Sequence, residues 1–189
     1  MSVGRLVLIN GAPASGKSTL ARMYAREHPL TLALDIDTVR GMLGGWLDRP
    51  TEAGLLARRM AVEMARVALG EGRDVLVPQF LGRVDFIVEL ERLCGQVGAE
   101  FVEVALLSDA RDATERFVRR SRRPESPEHR DAAALRERGG GVEELAAMYE
   151  RLLAVVAGRT RTRTVTTVDG EVDRAYRDLV ACIDGVRRT

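Results

Sequence analysis

Short, uniformly apolar runs alternate along this chain with stretches in which apolar residues recur every three or four positions. The first run, Arg5 to Ile9 (RLVLI), has the character of a strand buried on both faces, and it ends at Asn10-Gly11. From Gly16 to Glu27 the residues Leu20, Met23 and Tyr24 fall at helical spacing until Pro29 stops the pattern. Thr31 to Leu34 reads as a second short strand leading into Asp35-Ile36-Asp37. Helical patterns follow over Thr38 to Trp46 and Glu52 to Leu69, with Gly70 and Gly72 closing the latter. Asp74 to Pro78 (DVLVP), Phe101 to Leu107 (FVEVALL) and Thr164 to Val168 complete five strands, and further helices are expected over Val84 to Val97, Val142 to Ala157 and Val172 to Val186. Ala110 to Arg123 reads as a basic helix, and Pro124 to Gly141, rich in charge, proline and glycine, is expected to be mobile. Repeated strand and helix alternation predicts an α/β fold, a five-stranded parallel sheet with helices on both faces and ligands at the carboxyl ends of the strands.

The junction between the first strand and first helix carries chemistry. Gly11-Ala12-Pro13-Ala14-Ser15-Gly16-Lys17-Ser18 fits G-x-x-x-x-G-K-[ST], and it lies where that motif works, after a buried strand and opening a helix. Gly11 and Gly16 are expected to allow backbone angles that a side chain would penalise, so that the N–H groups of the loop, those of Ala14 and Ser15 among them, turn inward around phosphate oxygens. The helix N-terminus behind them adds roughly half a unit of positive charge. Lys17 would reach the β- and γ-phosphates of ATP, Ser18 would offer its hydroxyl to Mg²⁺, and Thr19 can bond a phosphate nearer the ribose. The pattern speaks for nucleotide binding and leaves the reaction open.

Composition sharpens this. Of 29 basic residues Lys17 is the one lysine, and arginine bias gives no reason for that exception to fall inside a glycine-rich anion loop. With 28 acids the formal charge is +1, so no global field draws the chain to nucleic acid or an anionic membrane. At 189 residues one compact domain spanning 1–189 is expected. No apolar run reaches the length of a membrane span and no secretory signal pattern precedes the first strand, which points to a cytoplasmic protein. Cys94 and Cys182, far apart in helical segments, suit buried reduced thiols better than a metal knuckle or a disulfide.

After the second strand the chain reads Leu34-Asp35-Ile36-Asp37-Thr38-Val39-Arg40. Two acids separated by one residue share one side of an extended strand, where they could serve a magnesium ion or an incoming hydroxyl. Together, GAPASGKSTLA and LDIDTVRGML resemble the P-loop small kinases, a family including adenylylsulfate, gluconate, shikimate, chloramphenicol and polynucleotide kinases and, more distantly, nucleoside monophosphate kinases. The resemblance covers most of the chain. It implies a three-layer P-loop NTPase fold, with Asp37 as the base that orients and deprotonates the acceptor hydroxyl, Arg40 holding the acceptor and Asp35 supporting the magnesium shell. That Asp37 merely caps the next helix beside a solvated Arg40 stays open as the alternative.

The third strand, running on as DVLVPQF, carries no acid at its end, which argues against a motor or a hydrolytic switch. Gln79 and Arg83 are similar to the Gln and Arg that grip the acceptor in nucleoside monophosphate kinases, and Trp46 lies among the helices that would shape that pocket. Between Arg116 and Arg123 stand five arginines and no acid. Such a segment suits a lid, within about 110–141, that closes over ATP and excludes water. By likeness to the adenylate kinase lid, Arg116 would pack on adenine and Arg120 would contact phosphates and assist transfer, with Arg123 as a third contact. Asp169-Gly170, after the last strand, stands where these kinases hold adenine against backbone.

The expectation is therefore a kinase moving the γ-phosphoryl group of ATP, with Mg²⁺, onto a hydroxyl of a small acceptor such as a nucleoside, nucleotide, sugar or antibiotic. A polynucleotide 5′-hydroxyl kinase is an alternative, for which Arg58-Arg59 is the other dense basic patch before the lid. A nucleotide-dependent switch is an alternative of another class. The residues leave the acceptor and the oligomeric state open.

Overall fold

The computed structural model describes residues 3–108 and 141–185. Five parallel strands, β1 (Arg5–Gly11), β2 (Leu32–Ala33), β3 (Val75–Pro78), β4 (Glu100–Leu107) and β5 (Arg163–Thr166), form one sheet in the order β2-β3-β1-β4-β5. The central β1 is buried along its whole length, which is why it reads as a continuous apolar run. It pairs Leu6 with Val75 on one side and with Phe101 on the other.

Successive side chains of β1 enter opposite layers. Val7 and Ile9 pack with Leu20 and Tyr24 of α1 (Lys17–Glu27) and with Tyr176, Leu179 and Ile183 of the closing helix (Val172–Asp184). Leu6 and Leu8 pack against the other face. There α2 (Ile36–Gly41), α3 (Pro50–Gly70), α4 (Asp85–Val97) and α5 (Gly141–Ala157) cover the sheet, and the closing helix is α6. On α3 the buried stripe Ala53, Ala57, Ala61 and Ala65 recurs every four residues, and its small side chains let the helix approach closely. The three-layer α/β/α arrangement expected from strand and helix alternation is the one observed.

One internal cluster fixes the amino end of the sheet. Arg5, 3% exposed, holds Asp74 at 2.6 Å, the Tyr24 hydroxyl at 2.8 Å and Asp184 at 3.3 Å. A charge in an otherwise apolar strand is tolerable here because its donors are occupied. On the opposite layer Arg159 bridges Glu103 of β4 at 2.5 Å and Glu91 of α4 at 2.9 Å.

Several boundaries differ from those read off the pattern. The helix expected over Thr38 to Trp46 instead runs Ile36–Gly41 and gives way to turns around Gly44 and Gly45, the latter at φ 67°. Pro50 starts α3 two residues before the expected Glu52, since a proline in the first turn forgoes no helical hydrogen bond. Cys94 lies buried in α4 and Cys182 half-buried in α6, both as free thiols. The basic helix expected over 110–123 and the expected mobile stretch that follows it lie outside the described residues. Among the described residues no helix is long and apolar enough to cross a membrane.

Candidate functional site

The loop between β1 and α1 is shaped by three residues with different demands. Gly16, at φ 91°, takes a left-handed conformation and stands at the N-cap of α1. Ala14, at φ 64°, adopts the same region despite its Cβ, a local strain of about 1 kcal/mol or more. Gly11 does not follow expectation. It is not among the residues with positive φ; its requirement is space, because a Cβ there would stand 2.7 Å from Ser15 Oγ and 3.2 Å from Leu106 Cβ. Left-handed turns at Ala14 and Gly16 make a nest of backbone N–H groups at the start of α1, whose first turn has no acid and no side-chain cap. Lys17 Nζ lies in this loop, donating to Ala12 O at 2.7 Å and to Ser15 Oγ at 3.4 Å.

Asn10, fully buried, anchors the loop from below. Its Oδ1 accepts from the Gly11 and Leu81 N–H groups, both at 2.9 Å, and its Nδ2 donates to Leu81 O at 3.0 Å. One side chain thus ties the first residue of the phosphate loop to the segment after β3. Sequence reasoning passed Asn10 over as a strand terminator. An amide directly after the apolar run Leu6 to Ile9 is the available signal.

A chain of contacts runs from the loop into the segment after β2. Ser18 Oγ donates to Asp35 Oδ2 at 2.7 Å, and Asp35 Oδ1 accepts from the Asp37 N–H at 3.0 Å. Asp35 is therefore the N-cap of α2. This corrects two expectations. The acids do not share one side of a strand, because β2 ends at Ala33 and Asp35 turns the chain into helix. Nor is Asp37 the cap; it lies in the first turn of α2 and pairs with Arg40 at 3.2 Å. The Arg40 guanidinium stands 4.9 Å over the Trp46 ring. Ser18, Asp35, Asp37, Arg40 and Trp46 are thus brought together in one line.

β3 lies between β1 and β2, so the segment after it faces both the phosphate loop and Asp35 along the carboxyl edge of the sheet. Gln79 hydrogen-bonds through its N–H to Ile9 O at 3.1 Å, while its side-chain Oε1 is buried with no partner among the described residues. Arg83 is exposed and lines a cleft of about 540 Å³ together with residues of α3, α4 and α5. Asp169 and Gly170, the latter at φ 80°, occupy the exposed turn after β5, two strands away from β1. Arg116, Arg120 and Arg123 lie outside the described residues. His28 has a plain structural place: its ring stacks on Tyr24 at 3.8 Å and its Nδ1 stands 2.9 Å from Tyr24 O at the end of α1.

The family model AAA_33, an AAA domain, matches residues 6–145. No curated protein sequence matches the chain. Among solved structures, a Chloroflexus aurantiacus protein is similar over 99% of this chain and 98% of its own, at 18% identity and TM-score 0.68. The APS kinase of Mycobacterium tuberculosis, in complex with AMPPNP and APS, is similar over 97% and 99%, at 16% identity and TM-score 0.62. A gluconokinase from Sinorhizobium meliloti is similar over 99% and 96%, at 14% identity and TM-score 0.61. At these identities the likeness establishes the fold, and the family model spans the phosphate loop, the acids after β2 and the segment after β3. The chain belongs to the AAA_33 family and has the P-loop kinase-like fold.

Proposed function

We propose that this protein is an ATP-dependent phosphotransferase, a single domain acting in the cytoplasm on a hydroxyl of a small acceptor. The observation that carries the reading is the continuity from the amide nest and Lys17, through Ser18 and Asp35, to Asp37 and Arg40. It sets an anion grip and a candidate base on adjoining elements, the arrangement that phosphoryl transfer by positioning requires.

In this reading the N–H groups of Ala14, Ser15 and Gly16 and the Lys17 ammonium hold the β- and γ-phosphates, with Thr19 on a phosphate nearer the ribose. The turn at Asp169 and Gly170 takes the adenine. Ser18 hydroxyl and Asp35 carboxylate, 2.7 Å apart, form the hard oxygen pair that suits Mg²⁺, which keeps most of its remaining positions for water and phosphate oxygens. When bound, the ion neutralises charge on those oxygens. Asp37 takes the acceptor hydroxyl proton as the new oxygen–phosphorus bond forms and the bond to the β-phosphate oxygen of ADP breaks. Arg40, held by Asp37 and Trp46, orients the acceptor, with Gln79 and Arg83 on the facing segment. Arg120, with Arg116 and Arg123, would supply charge to the transferring group.

ATP turnover measured with and without a panel of nucleosides, nucleotides, sugars and aminoglycosides tests this. Slow hydrolysis alone and labelled phosphate appearing on particular acceptors is the expected result. Equal ADP release whatever hydroxyl compound is added would replace the kinase with a nucleotide switch.

A further inference from the structure

The cleft bordered by the segment after β3 has a chemical character of its own. It lies between α3, the segment joining β3 to α4, and α5, and its volume of about 540 Å³ falls in the range that takes a small organic ligand. Building on the phosphotransferase reading, we propose that this cleft binds the acceptor, and that the acceptor carries an oxyanion group, a phosphate, sulfate or carboxylate, beside an apolar or planar portion.

Three arginines, Arg58, Arg83 and Arg151, line the cleft against one acid, Asp85. They come from α3, the segment between β3 and α4, and α5, so local sequence crowding does not explain their convergence. Neither Arg58 nor Arg83 has an ion-pair partner among the described residues, whereas Arg151 is held by Glu144 at 2.7 Å. Guanidinium groups left without carboxylates and facing one cavity match an oxyanion, whose oxygens can accept two parallel N–H donors from each.

Between the charges the lining is aromatic. Phe80 and Phe86 border the same cleft, and the Arg58 guanidinium stands 5.5 Å over the Phe86 ring, which holds it in place ahead of binding. Phe86 is also packed in the core, so the apolar wall open to a ligand is the half-buried Phe80, which an acceptor with a flat or apolar body uses.

Gly82 is where the segment touches α5: a Cβ there would lie 3.1 Å from Phe80 Cζ and 3.2 Å from Arg151 Cβ. Tyr149, two residues before Arg151, donates to Ser108 O at 2.5 Å and pins α5 to the end of β4. Leu81, in the cleft wall, is bound through Asn10 to Gly11. One wall of the cleft is therefore fastened through Asn10 to the loop assigned to ATP.

The experiment uses the full chain with labelled ATP and acceptor pairs that differ only in charge: ribose with ribose 5-phosphate, glucose with gluconate, adenosine with adenosine 5′-phosphate and with adenosine 5′-phosphosulfate. The expected result is kcat/KM at least about tenfold higher for a charged member of some pair, with the phosphate, sulfate and carboxylate arms naming the group. Arg83→Ala and Arg58→Ala should each raise the KM of that acceptor about tenfold while the KM for ATP stays within about twofold, and the conservative Arg83→Lys should recover only part of the loss. Thermal unfolding of each variant separates this from a folding defect. Transfer to neutral members equal to or better than to their charged partners would overturn the anion proposal while keeping the phosphotransferase. An unchanged acceptor KM in both alanine variants would do the same for the cleft. Transfer to no member of either set would overturn the kinase reading, and this one with it.

Discussion

Asp35 divides its two carboxylate oxygens between two elements, Oδ2 accepting from the Ser18 hydroxyl at 2.7 Å and Oδ1 from the Asp37 N–H at 3.0 Å. The first bond fixes the start of α1 against the end of the β2 segment. The second ends the extended chain and begins α2, and so decides where Asp37 and Arg40 stand. A residue of this kind links what happens at the phosphate loop to the geometry of the proposed acceptor side.

Replacing Asp35 separates these two duties. In Asp35→Asn the amide oxygen can still cap α2, so thermal stability should stay close to wild type while the affinity for ATP measured with Mg²⁺ falls about tenfold. Asp35→Ala should lose that affinity and also about 1 kcal/mol of stability, the usual cost of removing a cap. Calorimetric titration with and without Mg²⁺, run beside thermal melts, reads both. Equal stability of the two variants would mean that the cap contributes nothing.

Asp37 carries a different expectation, since it pairs with Arg40 rather than with the phosphate loop's own Ser18. Asp37→Asn should leave ATP affinity within about twofold and slow phosphoryl transfer by about a hundredfold or more, the scale of a lost general base. Single-turnover transfer and ATP titration on the same preparation distinguish this from a metal role. A fall in ATP affinity with transfer of bound ATP unimpaired would move Asp37 to the magnesium shell.

How much of this was legible from residues alone depended on how far apart the partners lie. The phosphate loop was readable because its requirements are local: Gly16 states a backbone angle, and Lys17 and Ser18 follow at fixed spacing. The central strands were readable because most positions of β1, β3 and β4 are buried on both faces and so are apolar, Arg5, Asn10 and Glu103 being paired exceptions. Asp35 and Asp37 were misplaced on one strand face because period-two reasoning assumed the strand continues, whereas the carboxylate of Asp35 stops it. Asn10 and Leu81 are 71 positions apart, and no pattern within either segment announces that bond. Arg58 stood out only as half of a basic pair and Arg151 not at all, since their meeting depends on how α3 and α5 pack over the segment after β3.

That long-range bond supplies a stability prediction. Asn10→Ala would leave the Gly11 N–H and the Leu81 N–H and carbonyl without their present partner in a fully buried place, at a cost of roughly 3 kcal/mol. Urea unfolding should show the midpoint drop with an unchanged slope. Because the same side chain joins the phosphate loop to the wall of the arginine cleft, ATP affinity should also weaken, by about tenfold. A variant with wild-type stability would show that these groups find other partners.

A last prediction concerns alkaline pH. Tyr24 is fully buried, its hydroxyl accepting from Arg5 Nη2 at 2.8 Å and donating to Asp74 Oδ2 at 3.2 Å. Burial pushes its ionisation up to about 12; the nearby Arg5 charge opposes this, and Asp74 adds to it. In the unfolded chain a tyrosine ionises near 10, so between about pH 10 and 12 the unfolded state gives up a proton that the folded state retains. The contribution is complete below pH 10 and is lost as the pH rises through that window. Cys94, whose thiol burial also pushes up to about 12, adds to the same alkaline loss from its own lower starting point. Tyr24→Phe removes the tyrosine share alone. It should cost about 1 kcal/mol at neutral pH through the lost hydrogen bonds, and its stability should then fall less steeply than wild type above pH 10. Urea midpoints taken at intervals from pH 8 to 11.5 for both proteins measure the two slopes, and parallel lines would mean that Tyr24 ionises in the folded protein as freely as in the unfolded one.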